Sequence, residues 1–333
     1  NINYNGSTAP IFLDMVTGSG SVINYNPSKP TTEANFKKIF AEGSKGFKLG
    51  VPKIDLPEST NIQKTAAWGS AAGFPSTNGV YLRPESNGGI YIVGDAKIDL
   101  SVDGCSNPVI TITQGTTVTT ITVNKTTGCH TATGPLGVGS AVSSCSPLNG
   151  VVFCSGNITT VKCKVSNNQV VYGGVARRSA NKISTDVNNG KDITITGNIV
   201  YQTKPDKTQD ADAACNLAAG TLGLVSEDIK ISSSAPQNLE IDAVCLAGSK
   251  NTTSGSFYVQ NHDSKTPAGT LTVLGGIIQK ARGPVGTFNP STGQTQTGYS
   301  KNYHYDPRLA TNPPPFYPTT GRYERYSWRM VPN

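Results

Sequence analysis

Lys191–Tyr201 reads K-D-I-T-I-T-G-N-I-V-Y: apolar and polar residues alternate, a Gly-Asn pair interrupts, and an apolar run resumes. Alternation at period two marks a strand with one buried face, and Gly-Asn is turn chemistry. The unit recurs as G-G-I-Y-I-V-G-D-A-K-I-D-L at Gly88–Leu100, N-G-V-V-F-C-S-G-N-I at Asn149–Ile158 and G-T-L-T-V-L-G-G-I-I at Gly269–Ile278. Shorter strands are expected at Asp228–Ile231, Asn238–Leu246 and Ser256–Val259. Short similar strands separated by Gly, Asn and Ser suit a β-solenoid, in which each coil adds roughly 4.8 Å of length. Small residues such as Ala243 and Ala247 would let successive coils stack closely. A β-sandwich also uses short alternating strands; the internal similarity of the unit favours the solenoid.

Composition agrees. The chain of 333 residues has 36% hydrophobic and only 15% charged residues, with 36 Gly and 21 Pro. That excludes a coiled coil, a helical bundle and a highly charged disordered tail. No apolar run approaches the roughly 18 residues of a membrane helix. One helix is expected at Thr32–Ala41, where Phe36, Ile39 and Phe40 share a face and Gly43 follows as a stop. A short turn is expected at Ala211–Ala219. Val109–Thr133 reads as an inserted, protruding Thr-rich hairpin around Gln114–Thr117, and Gly134–Ser144 as a flexible loop.

The seven cysteines, at 105, 129, 145, 154, 163, 215 and 245, include no C-x-x-C pair. Their wide spacing speaks against zinc and for disulfides in an oxidising compartment. The candidate pairs are Cys154 with Cys163, across a local hairpin, and Cys215 with Cys245, between adjacent turns. The pairing itself does not follow from sequence.

No G-x-S-x-G, H-E-x-x-H or P-loop pattern occurs, and the histidines are His130, His262 and His304. Asp192, Asp228 and Asp242 are the carboxylates a solenoid could bring together for polysaccharide cleavage; turn and face positions account for them more simply. The expectation is a non-enzymatic protein without cofactor or metal.

The net charge is +7, and most of it falls late in the chain. From Lys280 onward, Lys280, Arg282, Lys301, Arg308, Arg322, Arg325 and Arg329 face only Asp306 and Glu324, and nine of the 24 aromatic residues lie there. Guanidinium groups neutralise phosphates and rings stack on bases, so Arg282, Lys301, Tyr303, Arg308, Arg325 and Arg329 are the candidate nucleic-acid contacts, with DNA as partner. The competing reading is a strap of aromatics packed on the solenoid flank, with Arg stems over it and heads in water. Asp306 and Arg308 in Y-H-Y-D-P-R would then lock a bend. Tyr323–Met330 alternates once more, with Tyr326, Trp328 and Met330 on one side.

An ordered set of segments resembles a family of bacterial pilus-associated domains. The segments are G-V-P-K-I-D-L-P, G-G-I-Y-I-V-G-D, N-L-E-I-D-A-V-C-L-A, G-S-F-Y-V-Q-N-H-D, L-T-V-L-G-G-I-I-Q-K-A-R-G-P-V-G-T-F, G-Y-S-K-N-Y-H-Y-D-P-R-L and N-P-P-P-F-Y-P-T-T-G. The resemblance spans about Phe47–Trp328 and is weakest at Val109–Asn149. Family members are exported, many start with a pilin-like hydrophobic helix, and a large minor pilin of a DNA-uptake pilus is among them. The resemblance implies a mainly β protein: a right-handed β-solenoid inserted into or fused with a pilin-like sheet, with one short N-terminal helix. Residues 1–45 would hold pilin-like strands and the helix, 46–280 the solenoid, and 281–333 a basic aromatic strap and a returning strand. The implied partners are other pilins of a type IV filament at the cell surface; the alternative to DNA binding is a structural or adhesive filament component that binds protein or glycan, with the Thr-rich hairpin as contact surface. Membrane contact is expected only through a hydrophobic N-terminal helix, which this sequence does not contain. The family pattern assigns no DNA-contact residues.

Overall fold

The computed structural model describes residues 13–16, 22–25, 56, 60–103, 105, 107–165, 169–173, 190–201, 220–249, 252, 254–310 and 313–318. Contacts divide the chain into two units, residues 1–54 and 55–333. In the first, β1 (Leu13–Val16) pairs antiparallel with β2 (Val22–Tyr25). The helix expected at Thr32–Ala41 and the turn expected at Ala211–Ala219 lie outside the described residues.

The second unit opens with α1 (Thr60–Trp68), β3 (Gly79–Leu82), β4 (Ile90–Val93) and β5 (Ala96–Val102). The antiparallel strands β6 (Pro108–Gln114), β7 (Thr117–Val123), β8 (His130–Thr133) and β9 (Ser143–Ser144) follow. Then come β10 (Val151–Cys154), β11 (Ile158–Val165), β12 (Gln169–Gly173), β13 (Ile193–Ile195) and β14 (Ile199–Tyr201). The series continues with β15 (Leu222–Ser226), β16 (Ile229–Ile231), β17 (Leu239–Ala247), β18 (Phe257–Val259) and β19 (Gly269–Gln279). It ends with β20 (Gly286–Phe288) and β21 (Thr295–Tyr305).

These strands stack in three parallel ladders, the signature of a β-solenoid. The first ladder runs β4, β10, β12, β15, then the later halves of β17 and β19. The second runs from the start of β5 through the start of β11 to β13, β16 and β18. The third runs from Leu100 through the end of β11 to β14, the first half of β17, the first half of β19 and β21. In-register parallel pairing puts like residues on the same side. On the second ladder, Ala96, Ile158, Ile193, Ile229 and Phe257 form one buried file. Ala243 and Ala247 are fully buried, as their size suggests. Beside Ala243, a Cβ on Gly275 would come within 2.0 Å of the Ala243 carbonyl oxygen, so L-G-G-I lets β19 turn the corner against β17.

The corner before the second ladder is held by side chains. Asp95 Oδ1 accepts the Asn157 N–H (2.7 Å), Asn157 Oδ1 that of Asp192 (3.0 Å), Asp192 Oδ1 that of Asp228 (3.2 Å) and Asp228 Oδ1 that of Ser256 (2.7 Å). Each coil thereby satisfies a backbone donor that strand pairing leaves over at the bend.

The Thr-rich hairpin has the expected strands, turning at Gly115, but it does not protrude. β6 pairs along β5, and Ile110, Ile112 and Ile121 join the main core, so the hairpin closes one end of the solenoid. The following loop is likewise pinned rather than flexible. The Gly137 N–H donates to Val80 O (2.7 Å), and the Leu82 N–H donates to Ser140 Oγ (3.1 Å). A second cluster covers the outside of the first ladder: Trp68 of α1, Tyr81, Tyr91 and Phe153, with Tyr317 arriving from the late chain.

Candidate functional site

Three of the six candidate contacts meet at the far end of the solenoid, where β21 adds the last rung of the third ladder among the described residues. Lys301 stacks in register on Leu271 and Leu239, Tyr303 on Val273 and Ile241, and Tyr305 on Gly275 and Ala243. Positions that are apolar core in the preceding coils thus carry a lysine and two tyrosines at the end. Tyr303 keeps 43% of its surface exposed and Tyr305 65%. Arg282, exposed in the turn after β19, reaches the same place: partial burial and the charge of Arg282 together lower the Lys301 pKa. Burial pushes the Tyr303 hydroxyl up to about 12, so it stays a neutral donor. Between Asp263 and Asp306 the chain has no acidic residue. Lys280 is committed elsewhere, donating to the Thr252 and Ser249 carbonyls.

Arg308 must be removed from the candidates. It is 1% exposed and forks onto Asp306, with Nε to Oδ1 at 3.0 Å and Nη2 to Oδ2 at 2.7 Å, while Nη1 donates to Gly220 O (3.2 Å). Its guanidinium also lies 4.6 Å from the Tyr201 ring centre. The pair locks a bend; of residues 313–318, Pro314 and Tyr317 pack on the solenoid while Phe316 stays half exposed. Pro314 and Tyr317 close over Gly223, where a Cβ would come within 2.6 Å of the Tyr317 ring. Arg325, Arg329 and the alternating Tyr323–Met330 lie outside the described residues.

The carboxylates do not form one site. Asp192 and Asp228 are neighbours in the corner file, with Lys230 Nζ 2.7 Å from Asp192 Oδ2. Asp242 is buried on β17, where Oδ2 accepts the Tyr201 N–H (2.9 Å). Burial raises the pKa of Glu227 and of Asp228, the neighbouring carboxylates adding to the effect.

The expected cysteine pairs need correction. Cys154 and Cys245 are free and buried on the first ladder, Cys154 level with Ile92 and Cys245 level with Leu224 and Ile277. They pack as small apolar residues, and burial pushes both thiols up to about 12. Cys163 belongs to the third ladder and Cys154 to the first, so the two stand on different faces despite their closeness in sequence. The Cys163 side chain and Cys215 lie outside the described residues. The disulfide that forms is Cys129–Cys145, which ties β8 to the segment after β9. Cys105 is free and exposed. Among the described residues no helix is long and apolar enough to cross a membrane.

Comparison of the chain with protein-family models, with curated proteins and with solved structures finds no match.

Proposed function

We propose that the chain is an exported, minor-pilin-like protein of a type IV filament that binds DNA without sequence preference through the end of its solenoid. The observation that carries this reading is the meeting of Arg282 and Lys301 beside exposed Tyr303 and Tyr305, in a stretch without acidic residues. Two cations set close together suit adjacent phosphates, and the rings offer stacking platforms for frayed or single-stranded bases. The Cys129–Cys145 disulfide is consistent with export, and the pilus connection rests on the family resemblance. Fluorescence anisotropy with duplex DNA across a salt series tests the reading. Two phosphate contacts give a log–log slope contribution of about −2. Arg282→Ala with Lys301→Ala should remove that contribution and weaken binding at low salt; unchanged affinity and slope would refute it.

A second reading, a structural or adhesive filament component, also has an observation behind it. Among the described residues Lys301 lies on the last strand of its ladder, and charges at such edges hinder sheet-to-sheet pairing. On that reading the double variant self-associates, which light scattering detects, while DNA plays no part.

A further inference from the structure

At the opposite end of the solenoid a cleft of about 460 Å3 opens between residues 77–81, the β6–β7 tip and residues 135–138. We propose that this cleft is a second binding site, for a neutral oligosaccharide.

Its walls are built in place. The Gly137 N–H donates to Val80 O (2.7 Å), and a Cβ on Gly137 would strike the Tyr81 ring, so the loop lies directly on that ring. Thr119 Oγ1 donates to Pro135 O (2.7 Å), and Gln114 Nε2 to Val93 O (2.8 Å). The Cys129–Cys145 disulfide ties the far side of the same loop. A cleft so fixed needs little ordering when a ligand enters.

The lining chooses the ligand class. No lining side chain is charged, so phosphates, carboxylates and ammonium groups would find no counter-charge. What remains is two-sided. Thr117 Oγ1, Gln114 Oε1 and the Asn78 amide nitrogen make no hydrogen bond among the described residues, while Leu136 and the 97% exposed Val138 offer apolar surface. A sugar ring presents the same mixture of hydroxyl groups and C–H faces. The volume lies within the roughly 300–1,000 Å3 of small-molecule sites and admits about two rings. An extended peptide fits less well, because it would add to an open strand edge. β6 and β7 are paired on both sides, and the outer edge of β3 is taken at Val80 O.

Saturation-transfer NMR on the whole chain with maltose, cellobiose and N,N′-diacetylchitobiose tests the proposal. At least one should receive saturation. Asn78→Ala with Thr117→Val should weaken it about tenfold, and Val138→Trp, a change at an exposed position, should block it. Arg282→Ala with Lys301→Ala should leave it unchanged, which separates this site from the proposed DNA surface. No transfer to any of the three sugars would overturn the proposal, as would transfer that survives both cleft variants or transfer only to a charged sugar or a peptide.

Discussion

The two ends of the solenoid are closed by different means. At one end β3 folds antiparallel onto β4 and β6 onto β5, so the first coil is covered by paired strands whose isoleucines join its core. At the other, β21 keeps the parallel register, and Lys301, Tyr303 and Tyr305 occupy what had been core positions. The coil geometry is shared; the residues placed at the last inward positions differ. One end holds a cleft that no charged side chain lines, and the other carries Arg282 and Lys301 beside exposed rings. Strand pattern and the corner side chains together set the architecture, and the terminal coil sets which residues each end presents.

The largest effect should come where the late chain is tied to the coil. Arg308→Met leaves Asp306 buried without its partner and should cost about 3–5 kcal/mol in urea denaturation. Replacing both together, Asp306→Leu with Arg308→Met, should cost much less. Next comes the cleft end: Cys129→Ala with Cys145→Ala opens a link across 16 residues and should cost about 3 kcal/mol, with the loss of order confined to β8, β9 and the loop between them. Asp192→Ala removes one step of the corner file and leaves the Asp228 N–H without its acceptor, for about 1–2 kcal/mol; the two proposed binding activities should not change.

The smallest effect is one of pH. Glu227 and Asp228 have pKa values raised in the folded chain, so between their ordinary and raised values the folded state binds more protons than the unfolded one. Stability should rise as pH falls through that window. Glu227→Gln should reduce the rise in a series of denaturation curves. Asp103, whose pKa is lowered by hydrogen bonds from Asn107, acts with the opposite sign: its contribution is present above the ordinary Asp value and is lost as pH falls below it.

Much of the architecture is legible in residue order. The I-T-I, I-K-I and F-Y-V triplets mark β13, β16 and β18 because a strand buried on one face must alternate. Reading Asp306 and Arg308 as a bend lock also succeeds, since a charge pair two residues apart around a proline folds onto itself. The helix α1, T-N-I-Q-K-T-A-A-W, escapes notice because it has no acidic first turn or basic last turn, and its apolar face is defined by the aromatic surface it meets. The cysteine pairs escape because spacing along a coil does not reveal which ladder a residue joins. The candidate contacts show the same limit. Composition marks Arg282, Lys301 and Arg308 alike; only the folded positions, a turn after β19 and strand β21 against the buried turn Pro307–Ala310, separate the two that stay in solvent from the one that is buried. One signal was available: Asp, Asn or Ser precedes the first residue of each second-ladder strand, as the corner file requires.

Hydrogen–deuterium exchange of the whole chain with and without duplex DNA tests the difference between the ends most directly. Protection is expected at residues 276–282 and 299–305, fading as salt rises, and none at 108–123. Protection centred on the hairpin end, or spread evenly over all coils, would contradict it.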